Sequence, residues 1–234
     1  MKPTRRSFLA IAAATVVYGM EDAPLYRSQK GWKPLLNGRD LSGWRLDLGA
    51  DKVASGETEW SVTDGVLANG RSTRTMNVAT ERKFGDFELY VEFLLVKGSN
   101  SGIYHHGLYE VQLFDSYGST KPLTFSDGGG IYQRWENGKG FGGFAPRTNA
   151  CRPAGEWQWM HTKFRAPRFD AAGKKIENAR FDRVVYNGTL VQENVPVDGP
   201  TRSGMKIAEA AENPLMLQGD HGAVEFRKLY IRPL

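Results

Sequence analysis

Tyr109-Glu110-Val111-Gln112-Leu113 lies within the stretch Ser99 to Gly118, and its alternation decides the fold. Successive side chains of a strand point to opposite faces of a sheet. Tyr109, Val111 and Leu113 then point one way, and Glu110 and Gln112 the other. The polar face carries an acid and an amide, with Asp115 just beyond and His105 and His106 just upstream. That set suits a polyhydroxylated ligand. It equally suits a plain outer face on which Glu110 is ion-paired.

The same two-residue period spreads outward. Phe87, Leu89, Val91 and Phe93 form an apolar face, with Glu88, Tyr90 and Glu92 opposite, on what should be a solvated side. Trp44 is expected to open a strand. Glu59 to Leu67 reads as a hairpin around Asp64-Gly65, and Arg183 to Val191 as a hairpin around Asn187-Gly188, because these pairs tolerate the positive φ angles of tight turns. Val224 and Phe226 share one parity while Leu229 and Ile231 share the other, which predicts a β-bulge near Arg227-Lys228. Residues 119–155 read as loops, with a short strand at Ile131 to Trp135. The glycine run Gly138 to Gly143 follows no apolar strand and opens no helix, so it is not a dinucleotide loop. Trp157 and Trp159 share a face and suggest core packing, and His161 reads as structural. Only Met205 to Ala211 hints at a helix. Many short strands between turn signals imply an all-β, two-sheet antiparallel sandwich.

Composition agrees. The 234 residues, 27 glycines and 12% aromatic content fit one turn-rich β domain, placed at 25–234. A net charge of +5 with no Lys/Arg run beyond the first residues argues against nucleic acid as a partner. The one cysteine, Cys151, excludes an intrachain disulfide and a cysteine-based zinc cluster. Thr4-Arg5-Arg6-Ser7-Phe8-Leu9 followed by Ala10 to Val17 reads as a twin-arginine export signal over residues 1–24, cleaved between Ala14 and Ala23. Its apolar run is too short to span a bilayer. The expected partner during export is the twin-arginine translocase, and the expected location is periplasmic or secreted, with no membrane anchor afterwards.

Fragments spread over Gly31 to Leu234 resemble the 3-keto-disaccharide hydrolase domain family. They include Leu36 to Trp44, Phe84 to Leu89, Asn100 to Ile103, Tyr109 to Leu113 with Asp115, Gly130 to Tyr132, Tyr186 to Gly188, and Leu217 through His221 to Arg227. The resemblance implies a concanavalin-like jelly roll acting on a small carbohydrate, a glycoside oxidised at carbon 3. Such a ketone acidifies the carbon 2 proton. A base removes that proton, the group on carbon 1 leaves, and water adds back, giving net hydrolysis. The chemistry needs a base, an acid and an electropositive group near the ketone oxygen, either a divalent metal or an arginine.

The resemblance implies Glu110 as base or metal ligand and His221 as acid/base or ligand, with Gln112 and Gln218 bonding sugar hydroxyls. His106 stands where the family pattern often has a basic side chain. His106, Glu110 and His221 are therefore candidate ligands for a divalent metal. Asp115 either caps a turn or touches ligand, and Tyr132 either stacks, hydrogen-bonds or sits in the core. Glu110 to Asp115 also faintly resembles the catalytic strand of laminarinase-like retaining glycosidases, but Gln112 replaces its middle acid and Asp115 its last. The alternative function is a non-catalytic carbohydrate-binding module, which would use exposed aromatic platforms such as Trp135.

Overall fold

Period-two alternation turns most of the chain into strands, and the described residues form no helix. The computed structural model describes residues 29–47, 59–70 and 75–234. The expected leader, residues 1–24, lies outside the described residues. In chain order the strands are β1 (Lys33–Pro34), β2 (Trp44–Asp47), β3 (Ser61–Thr63), β4 (Val66–Ala68), β5 (Asn77–Phe84), β6 (Phe87–Leu95), β7 (Asn100–His105) and β8 (Tyr109–Phe114). They continue as β9 (Arg134–Glu136), β10 (Lys139–Phe141), β11 (Trp157–Arg165), β12 (Arg168–Phe169), β13 (Lys175–Glu177), β14 (Ala179–Tyr186), β15 (Thr189–Val197), β16 (Asn213–Leu217) and β17 (Val224–Pro233).

Two antiparallel sheets pack as a concanavalin-like jelly roll, with β9–β10 and β12–β13 as separate two-stranded ribbons. The larger sheet is ordered β15-β14-β11-β6-β17-β4-β3, with β1 added on β17. The smaller is ordered β2-β5-β16-β7-β8. The core lies between them. Phe87, Leu89, Val91 and Phe93 of β6 meet Ile103, Tyr109, Val111 and Leu113 of β7 and β8, all fully buried. Each such side chain contributes roughly 1.5–3 kcal/mol by leaving water.

Turn chemistry fixes the register. Asp64-Gly65 and Asn187-Gly188 hold φ angles of 51° and 79°, and 48° and 84°, closing the two expected hairpins. Asn137-Gly138 does the same, at 50° and 77°, joining β9 to β10. Part of the glycine run expected to be loop is therefore a β-ribbon. The bulge stands where parity required it: Lys228 has φ 48°, the register shifts between Arg227 and Tyr230, and all four apolar side chains of β17 reach the core. Residues 205–211 form bends, not the hinted helix. Met205 there is fixed instead by its N–H donating to Gly107 O at 2.7 Å.

The outer face of β6 is not the solvated surface that alternation suggested. Glu88 and Glu92 are buried. Neighbouring strands lay cations over them: Arg183 and Arg232 pair with Glu88, and Arg227 and Lys228 with Glu92 at 2.6 and 2.9 Å. His161 lies 3.6 Å from Glu88 and edge-on to Trp32, a structural position as expected. Trp157 and Trp159 sit on this outer face rather than between the sheets. Trp159 packs on Tyr90, and the Arg227 guanidinium covers Trp157 at 3.9 Å.

Burial alone would raise the Glu88 carboxyl, but His161 and Arg232 outweigh it and hold the group at about 2. The stabilisation is present above the ordinary carboxylate value and is lost as pH falls toward 2. Glu88→Ala leaves the half-buried Arg183 and Arg232 without their carboxylate and is expected to cost about 3 kcal/mol in urea unfolding at pH 7. Glu193→Ala, which breaks the exposed pair with Arg147, should cost less than about 1 kcal/mol.

Candidate active site

Parity places the site on the face of the smaller sheet turned away from the core. Along the β7–β8 hairpin, Tyr104 pairs with Glu110 and Gly102 with Gln112, so these residues share that face. Beside them, Gln218 continues β16, its N–H donating to Gly102 O at 3.0 Å. Segments 129–132 and 201–205 flank β8. The N–H of Tyr132 donates to Glu110 O at 3.1 Å, and the N–H of Glu110 to Thr201 Oγ1 at 3.0 Å. Between these parts lies a hollow of about 150 Å³. Its walls bring together Glu110, Gln112, Tyr132, Gln218 and His221, five residues singled out in the sequence. They also include Asn100, Tyr104 and Arg202, which were not.

Glu110 is 3% exposed, and among the described residues no cation pairs with it. Burial pushes its carboxyl up to about 8; the Tyr104 hydroxyl opposes the rise and the Asp220 charge adds to it. Tyr104 also reaches Arg202 O at 3.2 Å. His221 is about half exposed, and its Nδ1 lies 2.5 Å from Asp220 Oδ1. That contact raises the imidazole above its ordinary value, against desolvation and the Arg202 charge. With Nδ1 engaged by a carboxylate, Nε2 is the nitrogen left for chemistry.

Three further features mark a place built for a ligand. The side-chain oxygens of Asn100, Gln112 and Gln218 are buried without hydrogen-bond partners. Buried acceptors rarely go unpaired, and three around one hollow match the hydroxyl donors of a sugar. Gly102 supplies space: a Cβ there would overlap the Glu110 carboxyl. Asn69 holds the His221 loop, donating from Nδ2 to Gly219 O and Gly222 O, both at 2.8 Å, and accepting from the Val224 N–H at 2.9 Å.

Two expected residues stand elsewhere. His106 is fully buried on the core side, at φ 56° in the β7–β8 connection, with its ring 5.0 Å from that of Phe164 and Nε2 3.1 Å from Gly85 O. Burial lowers its proton affinity. It does not reach the hollow, so His106, Glu110 and His221 do not converge as metal ligands. No cluster of three His, Cys, Asp or Glu side chains suited to a metal occurs among the described residues. His105 is likewise in the core, Nε2 2.7 Å from Thr162 Oγ1, with its imidazole pushed down to about 3 by burial. Asp115 accepts the Gly98 N–H at 2.9 Å and lines an adjoining hollow of about 370 Å³, which shares Asn100, Gln112 and Tyr132 with the first.

On this jelly roll one sheet face gathers a buried carboxyl, an Asp-backed imidazole and three amide oxygens without partners, a lining suited to a polyhydroxylated ligand. The family follows from the sequence: the model of the 3-keto-alpha-glucoside-1,2-lyase-like domain matches residues 31–232, and the chain belongs to that hydrolase-like family. A solved structure from Parabacteroides distasonis, provisionally assigned as a glycosyl hydrolase, is 27% identical. The match covers 88% of this chain and 84% of that one, with a TM-score of 0.69. A second from the same organism, with the same provisional assignment, shares the fold at 17% identity over 94% and 99% of the two chains, TM-score 0.60. Among curated proteins nothing matches the sequence.

Gly102→Ala tests the packing of the carboxyl. Overlap should cost about 1–3 kcal/mol in thermal unfolding while leaving a folded protein. Displacing the acid by about 1 Å should lower turnover about a hundredfold.

Proposed function

We propose that the protein cleaves 3-keto-glycosides by β-elimination at carbons 1 and 2, with His221 as base and Glu110 as acid. The observation that carries this reading is the pairing, in one hollow, of an unpaired buried carboxyl with an imidazole backed by Asp220. Near neutral pH Glu110 holds its proton, so it suits the acid role rather than the base role that the family resemblance first implied.

His221 Nε2 takes the proton from carbon 2. The electrons form a double bond to carbon 1 as the bond from carbon 1 to the glycosidic oxygen breaks, and Glu110 protonates that oxygen. The products are a 2-hydroxyglycal ketone and the released alcohol or sugar. Addition of water across the new double bond, with the two residues exchanging roles, gives net hydrolysis. Arg202 lines the hollow and its charge reaches His221; in this reading its guanidinium meets the enolate that develops at the ketone oxygen. Gln112, Gln218 and Asn100 receive hydroxyl donors of the ring.

Turnover of a 3-keto-disaccharide should fall about a hundred- to ten-thousandfold in Glu110→Gln and in His221→Ala, with melting temperature retained. Wild-type rates in both variants would remove the mechanism, and binding without any product would favour a carbohydrate-binding module. The profile of kcat/KM against pH should be bell-shaped. It falls on the acid side as His221 gains a proton, and on the alkaline side near the Glu110 value of about 8. Asp220→Asn removes the contact that raises His221 and should shift the acid limb downward.

We also propose export by the twin-arginine route, on the strength of residues 4–17. Replacing Arg5 and Arg6 by lysine should retain the protein in the cytoplasm, as read by cell fractionation; unchanged export would refute the route.

A further inference from the structure

Arg202 differs from the other arginines around it. Arg134, in the adjacent ribbon, pairs with Glu136 at 2.6 Å and with Asp198 at 2.7 Å. Among the described residues Arg202 has no ion pair and no side-chain hydrogen bond. Its guanidinium lies over Trp135 instead, with the guanidinium carbon 3.9 Å from the indole centroid. Its backbone is pinned: the Arg202 N–H donates to Gln133 O at 2.8 Å, and its carbonyl accepts from Tyr104. Trp135 is 44% exposed on the β9–β10 ribbon, where no core requires it. The Arg202 guanidinium occupies indole surface on which a sugar would otherwise stack.

We propose that Trp135 is a positioning residue: its indole face holds the Arg202 guanidinium at the edge of the Glu110 hollow while leaving all five N–H donors free for the substrate. Stacking suits this task. An aromatic face fixes the plane of a guanidinium without using its donors, whereas a carboxylate would consume them and cancel the charge. The inference rests on the elimination reading for the identity of the oxygen that Arg202 meets, but the stacking itself does not.

The test compares Trp135→Ala, Trp135→Phe, Arg202→Gln and the double variant Trp135→Ala/Arg202→Gln. With a 3-keto-disaccharide, Trp135→Ala should lower kcat/KM about tenfold, mainly through kcat, with melting temperature unchanged. Trp135→Phe should recover most of the loss, because a ring face is restored. The double variant should be no worse than Arg202→Gln, since both remove one interaction.

A second readout needs no turnover. The charged and titratable groups around His221 are Asp220 beside it, Arg202 from segment 201–205, Tyr132 from segment 129–132, and Glu110 and Tyr104 of the sheet. Arg202 holds the imidazole down, so its midpoint in an NMR titration should rise in Trp135→Ala and in Arg202→Gln. Wild-type kinetics with an unmoved His221 midpoint in Trp135→Ala would overturn the inference, as would losses that multiply in the double variant. If Glu110→Gln and His221→Ala keep full activity, the elimination mechanism fails while the His221 midpoint still judges the Arg202 placement. If those two variants are dead and Trp135→Ala is normal by both readouts, only the inference about Trp135 fails.

Discussion

A carboxyl kept from water without a cation beside it is the constraint on which this molecule's chemistry depends. Among the described residues three glutamates are almost wholly buried, and they divide sharply. Glu88 and Glu92 lie under paired arginines and lysine, and Glu88 is held ionised. Glu110 faces amides, a tyrosine hydroxyl and an imidazole, and keeps its proton near neutrality. The same residue type thus stands ionised on one sheet and with raised proton affinity on the other, according to what neighbouring strands place opposite it. An unpaired buried acid is unfavourable, and well-packed folds rarely retain one without a use.

The sandwich tolerates this because stability is concentrated elsewhere. The aromatic and aliphatic layer between the sheets fixes β7 and β8 from the core side, so their opposite face is free to carry polar groups. The segments that complete the hollow are fastened mainly by main-chain bonds: 129–132 to β8, 201–205 to Gly107 and Leu108 in the β7–β8 connection, and 218 to β7. Side chains in the hollow can then be selected for proton affinity and hydrogen-bonding direction rather than for holding the fold.

Much of this was legible in the alternation of residues. The two-sheet class, the Asn187-Gly188 and Asp64-Gly65 hairpins and the β17 bulge all follow from parity and turn residues that act locally. Parity also separates the histidines: His105 shares its side with Ile103 and Tyr109, so the core placement of its ring could have been read from the strand. His106 could not, because its positive φ breaks the alternation at that residue. Burial of Glu88 and Glu92 depended on arginines 95 to 144 residues away, which no window on β6 contains. Arg202 carried no signal of its own; it is brought to the hollow by a loop with no periodicity. Of the hollow, the acid, the amides and the imidazole stood in recognisable segments, whereas the contacts tuning them are long-range.

The Asn69 amide has a consequence for how the protein matures. It joins a hairpin near the start of the domain to the loop at 219–224, about 150 residues later. Closing a loop of that length costs more chain entropy than closing a short one, and the native main chain at 219–222 is held from the far side of that closure. The loop carrying the imidazole is thus anchored from the other end of the domain. On the proposed mechanism, a chain ending before residue 219 would carry the acid without its partner, so competence would arrive only with the completed domain.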